Sequence, residues 1–422
     1  MYARVHVNKF EYNKGNTSFQ SGSEYVSRAE WDMGLVYNFV KDKTDSDPEF
    51  RALAASLGTR FNQPEAAAKY RLVQFAQTAA RLGLDNRADP DTITHVVHVF
   101  LSELEGNPAE WFVRARLDGV WIEGEPIVFG PDLKLRPLTA ADFESETMVD
   151  LLPFGSTRPQ FRPQGHGTAI LEFSAWARDQ GELNKTVETV AQCLRLFQLG
   201  SVQILESGFG VESFLRWGFT TSAQSGSVST YRYGLNAEGA KSLDRLYRVL
   251  SPFLSGFLDP QSHKALDPLY IALRRYNEAL LQSGPTEGKM TSAMTCLEAL
   301  FLKSKERDEL SHRLGQRLAS LLKYAGIKPF PVYQGIQRAY DMRSTFIHGS
   351  QLDDEQTKEL PTLLKDVLEW SRVALLIECQ LKSELDKDRL IGKLDASMLE
   401  QDASREIAGL IQKSVELYPP KS

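Results

Sequence analysis

The hydrophobic period of the chain changes twice, and those changes restrict the folds open to it. Up to residue 104, apolar residues recur at helical spacing in 52–57, 66–84 and 92–104. Breaks rich in Gly, Asn, Pro and Asp separate these runs. One of them, Asn86-Arg87-Ala88-Asp89-Pro90-Asp91, reads as a loop that ends in an N-cap candidate, Asp91. From Trp111 the spacing shortens toward alternation. Residues 111–117, 119–122, 126–129 and 133–138 read as short strands, with Gly130-Pro131-Asp132 as a turn. Thr139 to Asp142 carries the signature of a helix start, with Asp142 at the capping-box position. A longer strand is expected over 168–176, an amphipathic helix over 184–199 and a strand over 202–206. The Gly/Ser-rich stretch 207–229 reads as loop and edge strand, and 237–254 as helix. After Pro268 every segment is helical, over 269–282, 286–304, 308–324, 332–348 and 361–385, with a polar helical tail.

This pattern predicts an α+β protein: an N-terminal mixed helix and antiparallel-strand region, followed by a C-terminal all-α bundle. The expected divisions are 1–110, mainly helical; 111–262, α+β; 263–385, the bundle; and 386–422, a helical extension. A chain of 422 residues with 42% hydrophobic and 25% charged residues has the composition of a folded globular protein. Its 49 Lys and Arg against 55 Asp and Glu exclude a protein that coats DNA through net charge, but leave room for a local basic pocket. Cys193, Cys296 and Cys379 are odd in number, far apart and set in apolar patterns, as expected of reduced core thiols. The first residues lack the apolar run of a secretory signal, and the most apolar stretch, 373–377, is far shorter than the ~20 residues of a bilayer span. The expectation is a cytoplasmic protein without a membrane segment.

The most informative segment is Tyr340-Asp341-Met342-Arg343-Ser344-Thr345-Phe346-Ile347-His348-Gly349. Tyr333, Ile336, Tyr340 and Ile347 form one stripe of a helix, and the missing member of that stripe is Arg343. An unpaired guanidinium is costly to bury, so Arg343 is expected to be paired, or to face a pocket or a subunit interface. His348 lies five residues on, about 140° round an ideal helix, so the two side chains do not stack. They converge only if the last turn unwinds or if a two-fold axis brings two copies together. The alternative is a plain helix end: Arg and His favour the helix dipole, and Gly349 is an ordinary residue after a C-cap.

Arg-x4-His followed by Gly, near the end of an all-helical C-terminal unit, resembles the HEPN superfamily, and more narrowly the Apea-like HEPN group. Cys296-Leu297-Glu298-Ala299-Leu300-Phe301 matches that group's Leu-Glu-Ala-Leu pattern, and the helix carrying Leu310, Arg313, Leu314, Arg317 and Leu318 agrees in order. The resemblance covers roughly 265–385. It implies a bundle that dimerises and places two Arg-His pairs in one cleft, which in active members cleaves RNA without a metal or cofactor. By that resemblance, His348 acts as general base on a ribose 2′-hydroxyl and Arg343 clamps the scissile phosphate. Ser344 would position the phosphate, while Glu298 and Asp341 orient Arg343 or the substrate; for Glu298, an ion pair that fixes the bundle is the alternative. Expected products carry a 2′,3′-cyclic phosphate and a 5′-hydroxyl. Some members carry a modifiable Tyr two residues after the motif His; here Ser350 stands at that position.

The expected function is therefore a metal-independent endoribonuclease in bacterial anti-phage defence or abortive infection. RNA is its substrate, a homodimer its form, and residues 1–262 a sensor for a phage-derived or protein trigger. The competing class is a non-catalytic HEPN module that binds RNA or nucleotide, or a dimerisation scaffold. The acidic net charge leans toward the latter, although a narrow cleft focuses field locally. No motif supports an enzyme centred in the N-terminal α+β unit. His95 and His98 have the spacing of a helical metal pair but lack a carboxylate cluster beyond Glu103 and Glu105, so no metal site is expected. Ser207-Gly208-Phe209-Gly210 reads as a turn and Ser311-His312 as helix surface. Arg274-Arg275 reads as a solvated helix face, and Trp111, Trp121, Trp176 and Trp217 as core.

Overall fold

The computed structural model describes residues 4–13, 16–25, 42, 46–62, 64–84, 89–139, 142, 167–211, 219–222, 229–257 and 267–415. Strands β1 (Arg4–Asn13) and β2 (Asn16–Tyr25) pair antiparallel from Arg4↔Tyr25 to Asn13↔Asn16. The alternation there shifts phase between Val7 and Phe10, which hides a strand from a period count. Helices α1 (Pro48–Arg60), α2 (Glu65–Leu84) and α3 (Pro90–Leu104) follow, with a small core of their own around Ala54, Leu72, Val96, Phe100 and Leu104. The cap of α3 is Asp89, not Asp91: its Oδ1 accepts from the Thr92 amide at 2.9 Å. Pro90 decides this, because a residue without N–H and with a fixed φ suits the first helical position.

Next come β3 (Ala109–Asp118), β4 (Val120–Ile122), β5 (Ile127–Phe129), β6 (Leu133–Pro137), β7 (Ala169–Ala177), α4 (Gln180–Phe197), β8 (Gln203–Val211), β9 (Phe219–Ser222), β10 (Tyr233–Leu235) and α5 (Ala237–Phe257). Six strands form one antiparallel sheet in the order β5-β6-β7-β3-β8-β9, while β4 pairs parallel with β10. Strict alternation sorts β3. Trp111, Val113, Ala115 and Leu117 belong to the apolar core shared with α4 and α5. Arg114 and Arg116 lie on the opposite face, where their cross-strand partners are Glu172 and Glu206, each at 3.2 Å. Arg114 also pairs with Asp142, whose carboxylate accepts from the Thr139 amide as the capping-box reading requires; the rest of that helix start lies outside the described residues. β8 runs on through Ser207–Gly210 as strand, where a turn was expected. Trp111 is core, but Trp121 and Trp176 are 41% and 71% exposed, because alternation turns them to the outer side; Trp217 lies outside the described residues.

The C-terminal region is all helical: α6 (Pro268–Leu281), α7 (Thr286–Phe301), α8 (Leu310–Tyr324), α9 (Pro329–Ile347), α10 (Asp354–Leu381), α11 (Lys387–Ser397) and α12 (Gln401–Val415). The protein is thus α+β. α10 begins seven residues before Pro361, at a capping box formed by Asp353 and Gln356. Pro361 is tolerated inside the helix because it and Thr357, whose carbonyl loses its partner, are exposed to water. One continuous apolar core runs from the sheet unit through the bundle to Ile411. It contains Cys193, Cys296 and Cys379, all free thiols that burial holds in the protonated form. Among the described residues, no helix is long and apolar enough to cross a membrane.

Candidate functional site

Helix α9 carries the residues singled out in the sequence. Pro329 opens it at the first helical position, and Val332, Gly335, Ile336, Ala339 and Met342 form its buried face. Gly335 is required there. A Cβ at that position would lie 2.4 Å from the Trp370 ring of α10, so the helices approach only over a bare backbone. Arg343 is seven residues past Ile336, within about 20° of it round the helix, and so points toward the bundle.

What it meets there is Glu298 on α7. Arg343 Nη1 donates to Glu298 Oε1 in an ion pair whose side chains are 17% and 20% exposed. The guanidinium carbon also sits 5.7 Å from the centroid of the Tyr340 ring, one turn back. Burial, reinforced by the Glu298 charge, pushes the Tyr340 phenol above its ordinary pKa, so it stays protonated. Arg343 Nε is buried without a hydrogen-bond partner. Arg343, Glu298 and Tyr340 therefore form a shielded cluster that retains unused donor capacity. Tyr340 was read only as a member of the apolar stripe; its i, i+3 spacing to Arg343 is the signal that marks it as a partner.

The end of α9 is a complete helix stop. The His348 amide donates to Ser344 O at 3.1 Å, Gly349 to Phe346 O at 3.0 Å and Ser350 to Thr345 O at 3.0 Å. Gly349 takes φ +76, the left-handed conformation that this motif needs and that a side chain disfavours. The last turn is therefore wound, and His348, at the C-cap and exposed, makes no hydrogen bond or ion pair with Arg343. Ser344 is half-buried beside Arg343 in sequence and Asp341 is exposed; the carboxylate that meets the guanidinium is that of Glu298. Ile347, read as a core position, is 52% exposed, and Phe346 is 40% exposed. Both lie within about 60° of Arg343 round the helix, yet among the described residues no neighbouring helix covers this last turn.

The C-terminal end of α7, the end that also carries Glu298, is locked. Arg317 on α8, 3% exposed, donates to both oxygens of Glu306, both oxygens of Asp395 and the carbonyl of Phe301. Arg317 in turn holds the Glu306 carboxyl down at about 2. The network pins the C-terminus of α7, and with it Glu298 one turn earlier.

The other candidates separate from this site. His95 and His98 are exposed on α3 and border a cleft of about 530 Å³ against the sheet. Among the described residues, no group of three or more His, Cys, Asp or Glu is placed to hold a metal. His312 Nδ1 lies 2.9 Å from the Tyr333 hydroxyl, a bond between α8 and α9. Arg274 and Arg275 both pair with Glu278 on their own helix. No family model matches the chain, and no curated protein or solved structure shows significant similarity to it.

Proposed function

We propose that the protein is a metal-independent endoribonuclease of the HEPN type, acting in the cytoplasm in bacterial anti-phage defence or abortive infection. The observation that carries the reading is the Arg343 cluster: an arginine on the bundle-facing side of α9, held by Glu298, with an unused donor and the wound, His-ended last turn beside it. In the proposed reaction His348 takes the proton of a ribose 2′-hydroxyl, and the 2′-oxygen attacks the adjacent phosphorus. The 5′-oxygen leaves and takes up a proton, giving a 2′,3′-cyclic phosphate and a 5′-hydroxyl. Arg343 offsets the charge that develops on the phosphoryl oxygens, and Ser344 helps to place them. Because His348 and Arg343 point apart within one chain, the reading requires a homodimer. Two copies meeting along the last turn of α9 would bury Phe346 and Ile347 and let His348 of one copy serve a phosphate held by Arg343 of the other. Residues 1–262 would then sense a phage-derived or protein trigger.

The test is end-labelled RNA incubated with purified protein in EDTA, wild type beside Arg343→Ala and His348→Ala. Cyclic-phosphate products from wild type, reduced about 10²–10⁴-fold in His348→Ala, are expected. Undiminished cleavage by the purified His348→Ala protein overturns the assignment. One observation favours the second reading, a non-catalytic RNA- or nucleotide-binding module: Glu298 already neutralises Arg343 in the single chain. That reading predicts RNA-dependent stabilisation without turnover, and no growth defect when wild type is expressed in cells.

A further inference from the structure

We propose that the cleft between α3 and the outer face of the sheet binds a small organic cation, an ammonium or guanidinium group on a short carbon chain. The cleft has a volume of about 530 Å³, within the range of ligand pockets and enough for a whole small molecule. Its floor is one end of the β7-β3-β8 face. Its wall is α3, with the corner Asn107-Pro108 that joins α3 to β3.

The strand register builds the floor. Glu110 of β3 stands opposite Trp176 of β7, and Phe112 opposite Ser174; on its other side Phe112 faces Gly210 of β8. Opposed residues share a face, so the Glu110 carboxylate and the Trp176 indole are neighbours. Gly210 adds no side chain, which leaves space beside Phe112. Trp176 is 71% exposed, and Glu110 is exposed as well. Among the described residues, neither side chain is engaged in a hydrogen bond, an ion pair or a ring contact. Further along the same face the carboxylates are matched. Glu172 pairs with Arg114 at 3.2 Å and with Arg136 at 2.6 Å, and Glu206 pairs with Arg116 at 3.2 Å. Glu110 meets an indole instead of a guanidinium. A cation seated there gains a charge partner on one side and a π face on the other.

The surroundings agree in charge. Among the described residues no Lys or Arg lines the cleft, and a second carboxylate, Glu103, lines it from α3. Arg114, the next charged residue along this face of β3, is held by Asp142 and Glu172, and Arg178, just past β7, lies outside the lining. The Asn107 side-chain amide, a donor at the corner, is spent on Ser102 Oγ at 3.4 Å and Glu105 Oε2 at 3.0 Å. His95 and His98 also line the wall, and a neutral imidazole adds an acceptor and no charge. The lining is therefore rich in acceptors and aromatic rings. An anion would meet carboxylates and no cation, and a hydrocarbon would leave Glu110 unmatched. The inference stands whether or not the bundle cuts RNA.

The experiment is calorimetric titration of the full chain with agmatine, choline and spermidine at about pH 8, where imidazole is neutral. Two controls accompany them: dimethylbutanol, the uncharged carbon isostere of choline, and acetyl-Gly-Arg-Gly-amide, which carries the guanidinium on a peptide. At least one free cation should bind one per chain, more tightly than either control, and several-fold more weakly in about 0.5 M salt. Trp176→Ala and Glu110→Gln should each weaken that binding about tenfold. Both side chains are exposed and unengaged, so the ligand-free Tm should stay unchanged. Ser174→Trp fills the cleft from an exposed strand position and should abolish binding. The proposal is overturned if no free cation binds at millimolar concentration, if the alcohol or the peptide binds as tightly as the best free cation, or if Trp176→Ala and Glu110→Gln both bind like wild type.

Discussion

Two arginines of the same bundle differ in how completely they are used. Arg317 spends its donors on two carboxylates and a carbonyl and is 3% exposed. Arg343 has one carboxylate and one aromatic face, a partnerless Nε, and a side chain 17% exposed at an uncovered helix end. A guanidinium whose donors are all satisfied by the fold has nothing left for a substrate, and its value lies in joining helices. A guanidinium held on one side only keeps the fork geometry that matches a phosphate. Both arginines act at the C-terminal end of α7, Arg317 on the Phe301 carbonyl and Arg343 on Glu298, so the contrast lies in the donors left over and not in position along the helix.

The sharpest way to break this comparison is to exchange the phenotypes. Arg343→Ala should lower RNA cleavage by about 10²-fold or more and stability by only about 1 kcal/mol, as for a partly exposed pair. Arg317→Ala should destabilise by about 3–5 kcal/mol, because it strands Glu306 and the Phe301 carbonyl. Urea unfolding of the two variants checks this, and equal losses would erase the distinction. The same pair of sites can be separated by pH. Glu306 is held at about 2, below its unfolded value of about 4.3, so its stabilisation is complete above that value and is lost as pH falls toward 2. Glu306→Gln should flatten that acid limb in a pH series of melting temperatures. Glu378 on α10 runs the other way. Burial pushes its carboxyl up to about 8, and its Oε1 has no partner. The folded chain holds a proton that the unfolded chain releases, so stability declines as pH rises from about 4.3 toward 8, and Glu378→Gln should remove that decline. The smallest effect expected is that of Tyr340→Leu. It takes the ring from beneath Arg343 and should cost about 0.5–1 kcal/mol, while Tyr340→Phe, which keeps the ring, should cost less.

Several features were legible from residues alone. The helix and strand periods anticipate the α+β class, and the helix ends near Leu281, Tyr324 and Ile347 follow from Gly and Pro punctuation. The stop at Gly349 was open to a cap reading, and the backbone adopts it. The errors have local physical causes as well. Asp89 caps α3 because Pro90 claims the first helical position. Trp176 is exposed because a large aromatic residue on a strand says nothing about which side of the sheet is covered. Ile347 continues the apolar stripe yet is exposed, because periodicity carries no information on what packs against each turn of a helix.

Short-range patterns thus determined most elements of the sheet unit and the bundle, several of their ends, and that Arg343 interrupts an apolar face. They act between residues a few positions apart, where backbone geometry alone fixes the neighbours. The partners were decided by the tertiary structure. Glu298 lies 45 residues from Arg343, Asp395 lies 78 from Arg317, and Asn277 lies 85 from Gln192. No propensity links residues at such separations. They meet because the packing of α4 and of α6 to α11 around one core brings them within bonding distance, and the same packing leaves the last turn of α9 uncovered.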